Sequence, residues 1–485
     1  MTAGKAKKVA AILIILGILL LGISGGLLLV KWNSGSGTKP ELTVEDYLKQ
    51  GQKYYERGDY LEAVLSYDQV LSEDEKNAEA LEGLGKAYAG GQYYQDAEET
   101  YRLLLDLDGN NADAGLELVQ VYLSQGKLEE ARSILETLSG TLSDKRIQDM
   151  YEQTHVSAPE FSAASGSYDQ YFLLELTNAS PGTVVYYTLD GSEPEAGSSI
   201  YRDGIVISDP QVQVKARAVN GLGYSSECVT MDYQITVPVE EAVIPDVGLE
   251  RAFMNMTGIH YQGELYNYQL AKIRELYILG EGWRWDDLED ARFYPDSMMI
   301  GEQTYTGYGD VKDISGLSYC PFLESLNIAF QEELSLAGIQ QMGQLKQVSL
   351  IHNQLMDLSP LSGLTGLTKL SLGWNQIQDV SPLSGLTELQ TLGLWGNQIS
   401  DLSALSGLTS LYYLDVSENQ ISDVSVVAQM PHLSELWMYG NQISDLSCTD
   451  GLEDLKVLMA RDNPITEYGR VKLRAYDFKR LDLEE

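Results

Sequence analysis

Three cysteines in 485 residues cannot build a disulfide framework. Four scattered histidines (His155, His260, His352, His432) offer no spacing for a zinc site or a nucleophile–base pair. Basic residues are scarce too: 33 lysines and arginines stand against 71 aspartates and glutamates, a formal charge of −38. Five of those lysines fall in residues 1–40, which hold no acid, so residues 41–485 carry 28 basic groups against 71 acidic ones. A field of that sign repels phosphate backbones and argues against a nucleic-acid partner. No glycine-rich phosphate loop, HExxH pair or nucleophile elbow occurs, so no enzymatic activity and no cofactor are expected. What is present is apolar material, 44% of the chain, enough for cores in about three domains of roughly 150 residues each.

Val9 to Val30 runs without a charge. As a helix it measures ~33 Å, enough to cross a hydrocarbon core of ~30 Å. Lys5, Lys7 and Lys8 precede it, while Lys31 and Lys39 follow ahead of the acidic remainder. The positive-inside rule then sets residues 1–8 in the cytoplasm, 9–30 as a single-pass signal anchor at the cell membrane, and the bulk of the chain outside. A cleaved signal peptide is the alternative, but Leu27-Leu28-Leu29-Val30 runs into Lys31-Trp32 with no small-x-small site. Residues 31–42 read as a glycine- and serine-rich tether.

Two internal periods organise most of the rest. In 43–155 the period is 34: Tyr54, Tyr88 and Tyr122 recur, as do Ala63, Ala97 and Ala131, with Tyr67 and Tyr101 followed by Leu135. Each unit reads as two amphipathic helices, and Gly51 and Ala63 leave room for a facing tyrosine. A polar helix near Ser143–Gln153 would cap the array. These small and aromatic positions resemble the tetratricopeptide repeat, although no tryptophan opens the units and no proline closes them. The resemblance implies an all-α solenoid, and an envelope protein as a possible partner on it.

The second period is 22. Asn353, Asn375, Asn397, Asn419, Asn441 and Asn463 follow without an insertion, and around them stands L-x-x-L-x-L-x-x-N, as in Leu367, Leu370, Leu372 and Asn375. Alternate leucines turn one face of a short strand inward, and stacked rungs make a parallel sheet. An asparagine turned inside at each bend can satisfy backbone groups that no strand partner reaches. The pattern closely resembles the 22-residue leucine-rich repeats of bacterial internalin-like surface proteins, which implies a curved solenoid with the sheet on its concave side. Run backwards, the register finds Leu323–Ile328 with Gln331 in the asparagine slot, then Ile273–Ile278. The solenoid therefore spans 273–485 with an insertion at 282–308 and a charged C-terminal cap, and residues 243–272 resemble the helical N-cap of such arrays. The insertion holds Trp283, Trp285, Phe293, Tyr294, Met298 and Met299.

Between the solenoids, residues 157–237 turn to β-branched and aromatic runs. Thr183–Leu189 ends in Asp190-Gly191, and Val212–Val219 alternates before Asn220-Gly221. That density of short strands predicts a small antiparallel, immunoglobulin-like sandwich. Tyr186–Pro194, Ser199–Tyr201 and Val214–Ala216 look like the C-terminal domain of chitobiase-type hexosaminidases. Without a catalytic barrel the resemblance implies a spacer, and a glycan-processing enzyme is the least favoured reading.

The candidate binding site lies on the outward positions of the rungs. Rungs stack ~4.8 Å apart and alternate residues lie ~7 Å apart along a strand, so Trp395 and Tyr439 would stand ~10 Å from each other. The expected patch is Trp374, Trp395, Tyr413, Trp437 and Tyr439, bordered by Asp415, Glu418 and Glu435. Exposed tryptophans and tyrosines dominate interface energetics, so a protein or glycan ligand is expected there. Three further features are read as structural. Asp357, Asp379, Asp401, Asp423 and Asp445 form a column of turn caps rather than a metal ladder. Asp106-Leu-Asp108-Gly-Asn110 has its glycine in the wrong place for a calcium loop. Cys320 falls on a leucine position and should be a buried apolar residue. The fold class is thus multidomain: a transmembrane helix, a helical solenoid, a sandwich and a leucine-rich solenoid. The expected function is adhesion, with an envelope assembly scaffold acting through the helical repeats as the alternative.

Overall fold

A computed structural model describes residues 42–178, 180–259, 263–280, 282–284, 291–294, 297–300, 303–466, 473 and 478–483. The apolar run at 9–30 lies outside these residues; among the described ones no helix is long and apolar enough to cross a membrane. Two compact units divide the chain between Glu152 and Gln153.

The described residues of the first unit form helices and the turns between them. Three antiparallel pairs follow one another: α1 (Val44–Arg57) with α2 (Tyr60–Glu73), α3 (Ala78–Gly90) with α4 (Tyr94–Leu107), and α5 (Ala112–Ser124) with α6 (Leu128–Thr141), then α7 (Lys145–Gln153). Asn77 and Asn111, 34 residues apart, cap α3 and α5 by accepting from Ala80 N at 3.0 Å and Ala114 N at 2.9 Å. Turns inside the pairs pass through positive φ at Gly58, Gln92 and Gly126, again at the repeat spacing. Packing between helices is a match of volumes. A Cβ on Gly51 would come within 2.7 Å of the Tyr67 ring, and one on Gly85 within 2.7 Å of Tyr101. In the third unit the same two positions hold Val119 and Leu135, both fully buried. Where the large ring shrinks, the glycine grows.

The second unit opens with a β-rich module. Its main sheet runs Gly166–Tyr168, Val229–Ile235, Gln211–Asn220, Thr183–Thr188, Ser199–Ile200. Two short ribbons join Glu160–Phe161 to Leu176–Thr177 and Phe172–Leu174 to Ile205–Ile207. Leu174, Leu176, Ile205 and Ile207 from the ribbons share one core with Val185, Val214, Ala216 and Tyr233 from the sheet. The sheet is not wholly antiparallel, because Gly166–Tyr168 pairs in parallel with Val229–Ile235. Arg274 fastens this module to the next one. Its guanidinium donates to Gly204 O and pairs with Asp203, both at 3.1 Å, and with Glu324 at 2.7 Å.

The leucine-rich solenoid follows. Helix α8 (Val247–Thr257) covers its start, and Asp246 does two jobs there. One carboxylate oxygen caps the helix at Leu249 N, and the other accepts from Lys312 N and Asp313 N. Nine parallel strands then stack in one sheet, from Glu275–Leu279 and Ser325–Ala329 through Val457–Met459 to Arg480–Asp482. The register advances by 22 residues per rung from Leu326 through Val348, Leu370, Leu392, Leu414 and Leu436 to Leu458. Short 3-10 turns such as Ser359–Leu361 and Ser381–Leu383 close each coil on the far side of the leucine core.

The asparagines hold the coils to one another. Asn397 Nδ2 donates to Leu372 O, Leu394 O and Trp395 O at 2.9–3.2 Å, while its Oδ1 accepts from Ile377 N at 3.0 Å. Asn375, Asn419, Asn441 and Asn463 repeat this pattern one rung apart. Asn353 reaches Ile328 O and accepts from Gln331 N. Gln331, in the slot before it, uses its longer amide to reach Gly280 O and Ala329 O.

The insertion has structure of its own. Gly282–Arg284 pairs antiparallel with Glu275–Leu279, and Ala291–Tyr294, Ser297–Ile300 and Gln303–Tyr305 form a three-stranded antiparallel ribbon. Trp285 lies outside the described residues.

Candidate functional site

Strand register turns the outward face of the sheet into a grid. One row reads Lys369, Thr391, Tyr413, Glu435, Val457; the next reads Ser371, Gly393, Asp415, Trp437, Met459. Two residues further along each strand come Gly373, Trp395, Ser417, Tyr439 and Arg461. Trp395, Tyr413, Glu435, Trp437 and Tyr439 of the expected patch are therefore neighbours on this grid, each half-buried, and Glu418 is exposed beside them.

Trp395 owes its position to glycines. A Cβ on Gly373 or on Gly393 would come within 2.2 Å of its ring, so the indole lies against backbone that carries no side chain. Larger residues at either position would lift it off the sheet.

Three points about the patch follow from the structure, the first a correction. Asp415 is not a charged border: only 8% of it is exposed. It accepts from Ser417 N at 2.9 Å, and burial pushes its carboxyl up to about 6. Tyr413 stands over it, and burial with the nearby Asp415 and Glu435 pushes the phenol above its usual range. Strand alternation fixes the face but takes no account of the bulk of neighbouring side chains, which here closes over a short acid.

Trp374 is the second point. At the eighth position of its rung it lies in a column of turn residues with left-handed backbone: Phe330, His352, Trp374, Gly396, Glu418, Gly440 and Asp462, with φ between 52° and 67°. The spacing is 22 throughout, and glycine at every second rung from Gly396 was the available sign. Trp374 stacks on His352 with ring centroids 5.7 Å apart, and His352 stacks on Phe330 at 4.4 Å. His352 Nε2 donates to Tyr294 O of the insertion at 2.7 Å, and Tyr308 meets Phe330 edge-on. The insertion is thereby moored along this column.

The third point concerns Trp437 and Tyr439, which keep their place on the face but are partly covered by the chain itself. The Arg480 guanidinium lies 5.4 Å from the Trp437 ring centroid and that of Arg461 lies 5.0 Å from Tyr439. Arg480 comes from the last strand, which follows Val457 by 23 residues and breaks the repeat. Phe478, Leu481 and Leu483 keep the rung's apolar offsets there, one residue out of step with the period of 22. Two indole N–H groups, of Trp374 and Trp437, are buried without a hydrogen-bond partner among the described residues.

Elsewhere the candidate groups are structural. Each aspartate of the 22-residue column accepts from the backbone N–H two residues on, as Asp401 does from Ser403 N at 2.8 Å. That bond holds the Asp357, Asp401 and Asp423 carboxyls below their ordinary value. Asp108 makes the same turn with Asn110 N at the end of α4. Cys320 is buried, which drives its thiol far up, and burial pushes Cys448 up to about 11.

Comparisons with known proteins agree with this division. Residues 48–112 and 92–153 match the tetratricopeptide repeat, and residues 364–381 and 387–429 match leucine-rich repeat families. Residues 174–233 match the family described as Fn3 associated, which is only loosely related to a chitobiase-type domain. Among solved structures, internalin C2 from Listeria monocytogenes is 27% identical, with a TM-score of 0.42, over 50% of this chain and 93% of that one. An internalin (inlF) from the same organism is 27% identical, with a TM-score of 0.36, over 50% of this chain and 76% of its own. A leucine-rich-repeat protein of Leptospira interrogans is 25% identical, with a TM-score of 0.35, over 36% and 47% of the two chains.

Proposed function

We propose that this chain is a membrane-anchored recognition protein that binds a protein partner through the outward sheet face of its leucine-rich solenoid. The anchor is the uncharged run Val9–Val30, with the lysine-rich end at residues 1–8 kept in the cytoplasm. In the sequence the helical repeats and the β-rich module separate that anchor from the leucine-rich solenoid. Both kinds of repeat are scaffolds for protein association, and a solenoid presents its side chains on a frame that does not change from rung to rung.

The observation that carries the reading is Trp395. A large ring is held against Gly373 and Gly393 and stays half-exposed beside Tyr413, Trp437 and Tyr439. Fixed aromatic groups of this kind lose little entropy on binding and are the usual anchors of an interface.

Photocrosslinking tests the proposal. A benzophenone residue replacing Thr391 on the sheet face should capture a protein from surface extracts, and the same residue replacing Ser384 on the far side should not. Trp395→Ala should abolish the capture while leaving the melting temperature within a few degrees. Equal capture from both faces, or capture that survives Trp395→Ala, would refute it.

A further inference from the structure

Of the three acids of the expected patch, Asp415, Glu418 and Glu435, only Asp415 is buried. Among the described residues no lysine or arginine pairs with it; it accepts from Ser417 N and from the Tyr413 hydroxyl. Tyr413, Glu418, Glu435 and Tyr439 all act on this cluster electrostatically, and Arg461 acts on Tyr439. On the grid Asp415 lies between Gly393 and Trp437, with Tyr413 and Ser417 before and after it in its own strand. A carboxylate taken out of water without a counter-charge is destabilising, and a fold that keeps one in place for stability alone has cheaper residues available.

We infer that the aromatic face around Asp415, formed by Tyr413 and Trp395 with Trp437 and Tyr439 alongside, receives a lysine or arginine side chain of the protein partner. This rests on the proposed reading of the sheet face and names the chemistry that face selects. Three observations support a cation in particular. The carboxylate lies beneath aromatic rings, whose faces attract cations most strongly where water is excluded. The face already accepts guanidinium groups on those rings, since Arg461 sits over Tyr439 and Arg480 over Trp437. The chain as a whole, at −38, draws in a basic partner and repels an acidic one.

The test uses the full chain and a defined probe, the acetylated, amidated peptide of three Gly-Arg repeats, against the same peptide with citrulline in place of arginine. Binding is followed by titration calorimetry at moderate salt. The arginine peptide should bind, and the citrulline peptide should bind about tenfold more weakly or worse, the scale of one desolvated cation–π contact. Asp415→Asn should weaken the arginine peptide to the same degree, while Asp401→Asn, on the far side of the solenoid, should not. Affinity should also fall between roughly pH 7 and pH 5 as the Asp415 carboxyl takes up its proton. Equal affinity for both peptides, or for Asp415→Asn and the parent, would overturn the inference. An equal loss in Asp401→Asn would overturn it as well, because the attraction would then be that of the net charge. If the peptide result fails while the crosslinks from position 391 persist, the face binds a partner without a cation. If both fail, the reading of the face is wrong.

Discussion

The two solenoids solve the same problem with different chemistry. In the helical repeats, neighbouring helices are joined by volume: Gly51 under Tyr67, Gly85 under Tyr101, Val119 with Leu135. No polar atom takes part in these pairings, and the Tyr101 hydroxyl is itself buried without a partner among the described residues; the polar links between helices, such as Tyr122 with Arg102 and Glu98, lie at other positions. In the leucine-rich rungs the apolar core is nearly uniform, and the link from coil to coil is a buried amide that bonds four backbone groups at once. Volume can be traded between two positions. A hydrogen-bond set of fixed geometry cannot, so one solenoid tolerates drift in its consensus and the other holds to it. That explains why the 34-residue period appears in fragments while Asn353 to Asn463 run without a break.

The largest expected effect breaks the polar side of this comparison. Asn397→Ala strands the N–H of Ile377 in the interior and removes one of the two hydrogen bonds accepted by each of the Leu372, Leu394 and Trp395 carbonyls, which keep Asn375, Asn419 and Trp374 N as donors. At ~1–3 kcal/mol for the unpaired N–H and ~0.5–1.5 kcal/mol for each hydrogen bond lost, the loss should be about 3 kcal/mol or more. The urea midpoint of the second unit should fall accordingly, and no second substitution nearby should restore it. The apolar side should behave oppositely. Gly85→Val alone forces branched carbons into the Tyr101 ring and should cost ~2 kcal/mol. Adding Tyr101→Leu recreates the pair found at Val119 and Leu135, and should recover more than half of that loss in a double-mutant cycle. If the double variant is no better than the worse single one, volume matching is not what joins these helices.

A smaller effect concerns Asp415, and its sign is unusual for an acid. Its folded value is raised to about 6 from 3.8 because burial disfavours the charge. The unfolded chain therefore gives up this proton first, and the native state loses stability as pH rises between those two values. A shift of that size corresponds to at most ~3 kcal/mol at neutral pH. Asp415→Asn should raise the melting temperature near pH 7.5 by an amount equivalent to ~1–2 kcal/mol, and the gain should vanish near pH 4. A substitution that stabilises the fold and weakens cation binding separates a functional acid from a structural one.

Most of the frame was legible in the sequence because repetition states the same constraint many times. Six asparagines at one spacing, with leucines at fixed offsets, leave few ways to build a rung. The site was legible only in part. Alternation placed Trp395, Tyr413, Trp437 and Tyr439 on one face. It could not show that Asp415 would be covered, because cover depends on which rings lean over it from the next strand. Gly373 and Gly393 held the clue to the placing of Trp395, but a glycine shows its use only once the ring resting on it is known. The Arg480 strand was harder to see because its apolar residues Phe478, Leu481 and Leu483 follow the last rung at a spacing of 23, and no asparagine comes after them to fix the register.

The smallest effect sharpens the contrast between acids on the two sides of one coil. Asp401 accepts from Ser403 N in an exposed turn, and that backbone bond holds its carboxyl below the ordinary value. Here the folded state is the stronger acid, so its contribution is present above the unfolded value and is lost as pH falls through the folded one. Asn can make the same turn through its side-chain oxygen, without the charge. Asp401→Asn should therefore change the melting temperature little near pH 7 and flatten its decline below about pH 4, where the parent loses this bond. Asp415→Asn acts above that range and in the opposite direction. A melting-temperature profile of the parent and both variants from roughly pH 3 to pH 8 would show two carboxylates 14 residues apart pulling stability opposite ways, one because water was removed and one because a backbone dipole was supplied.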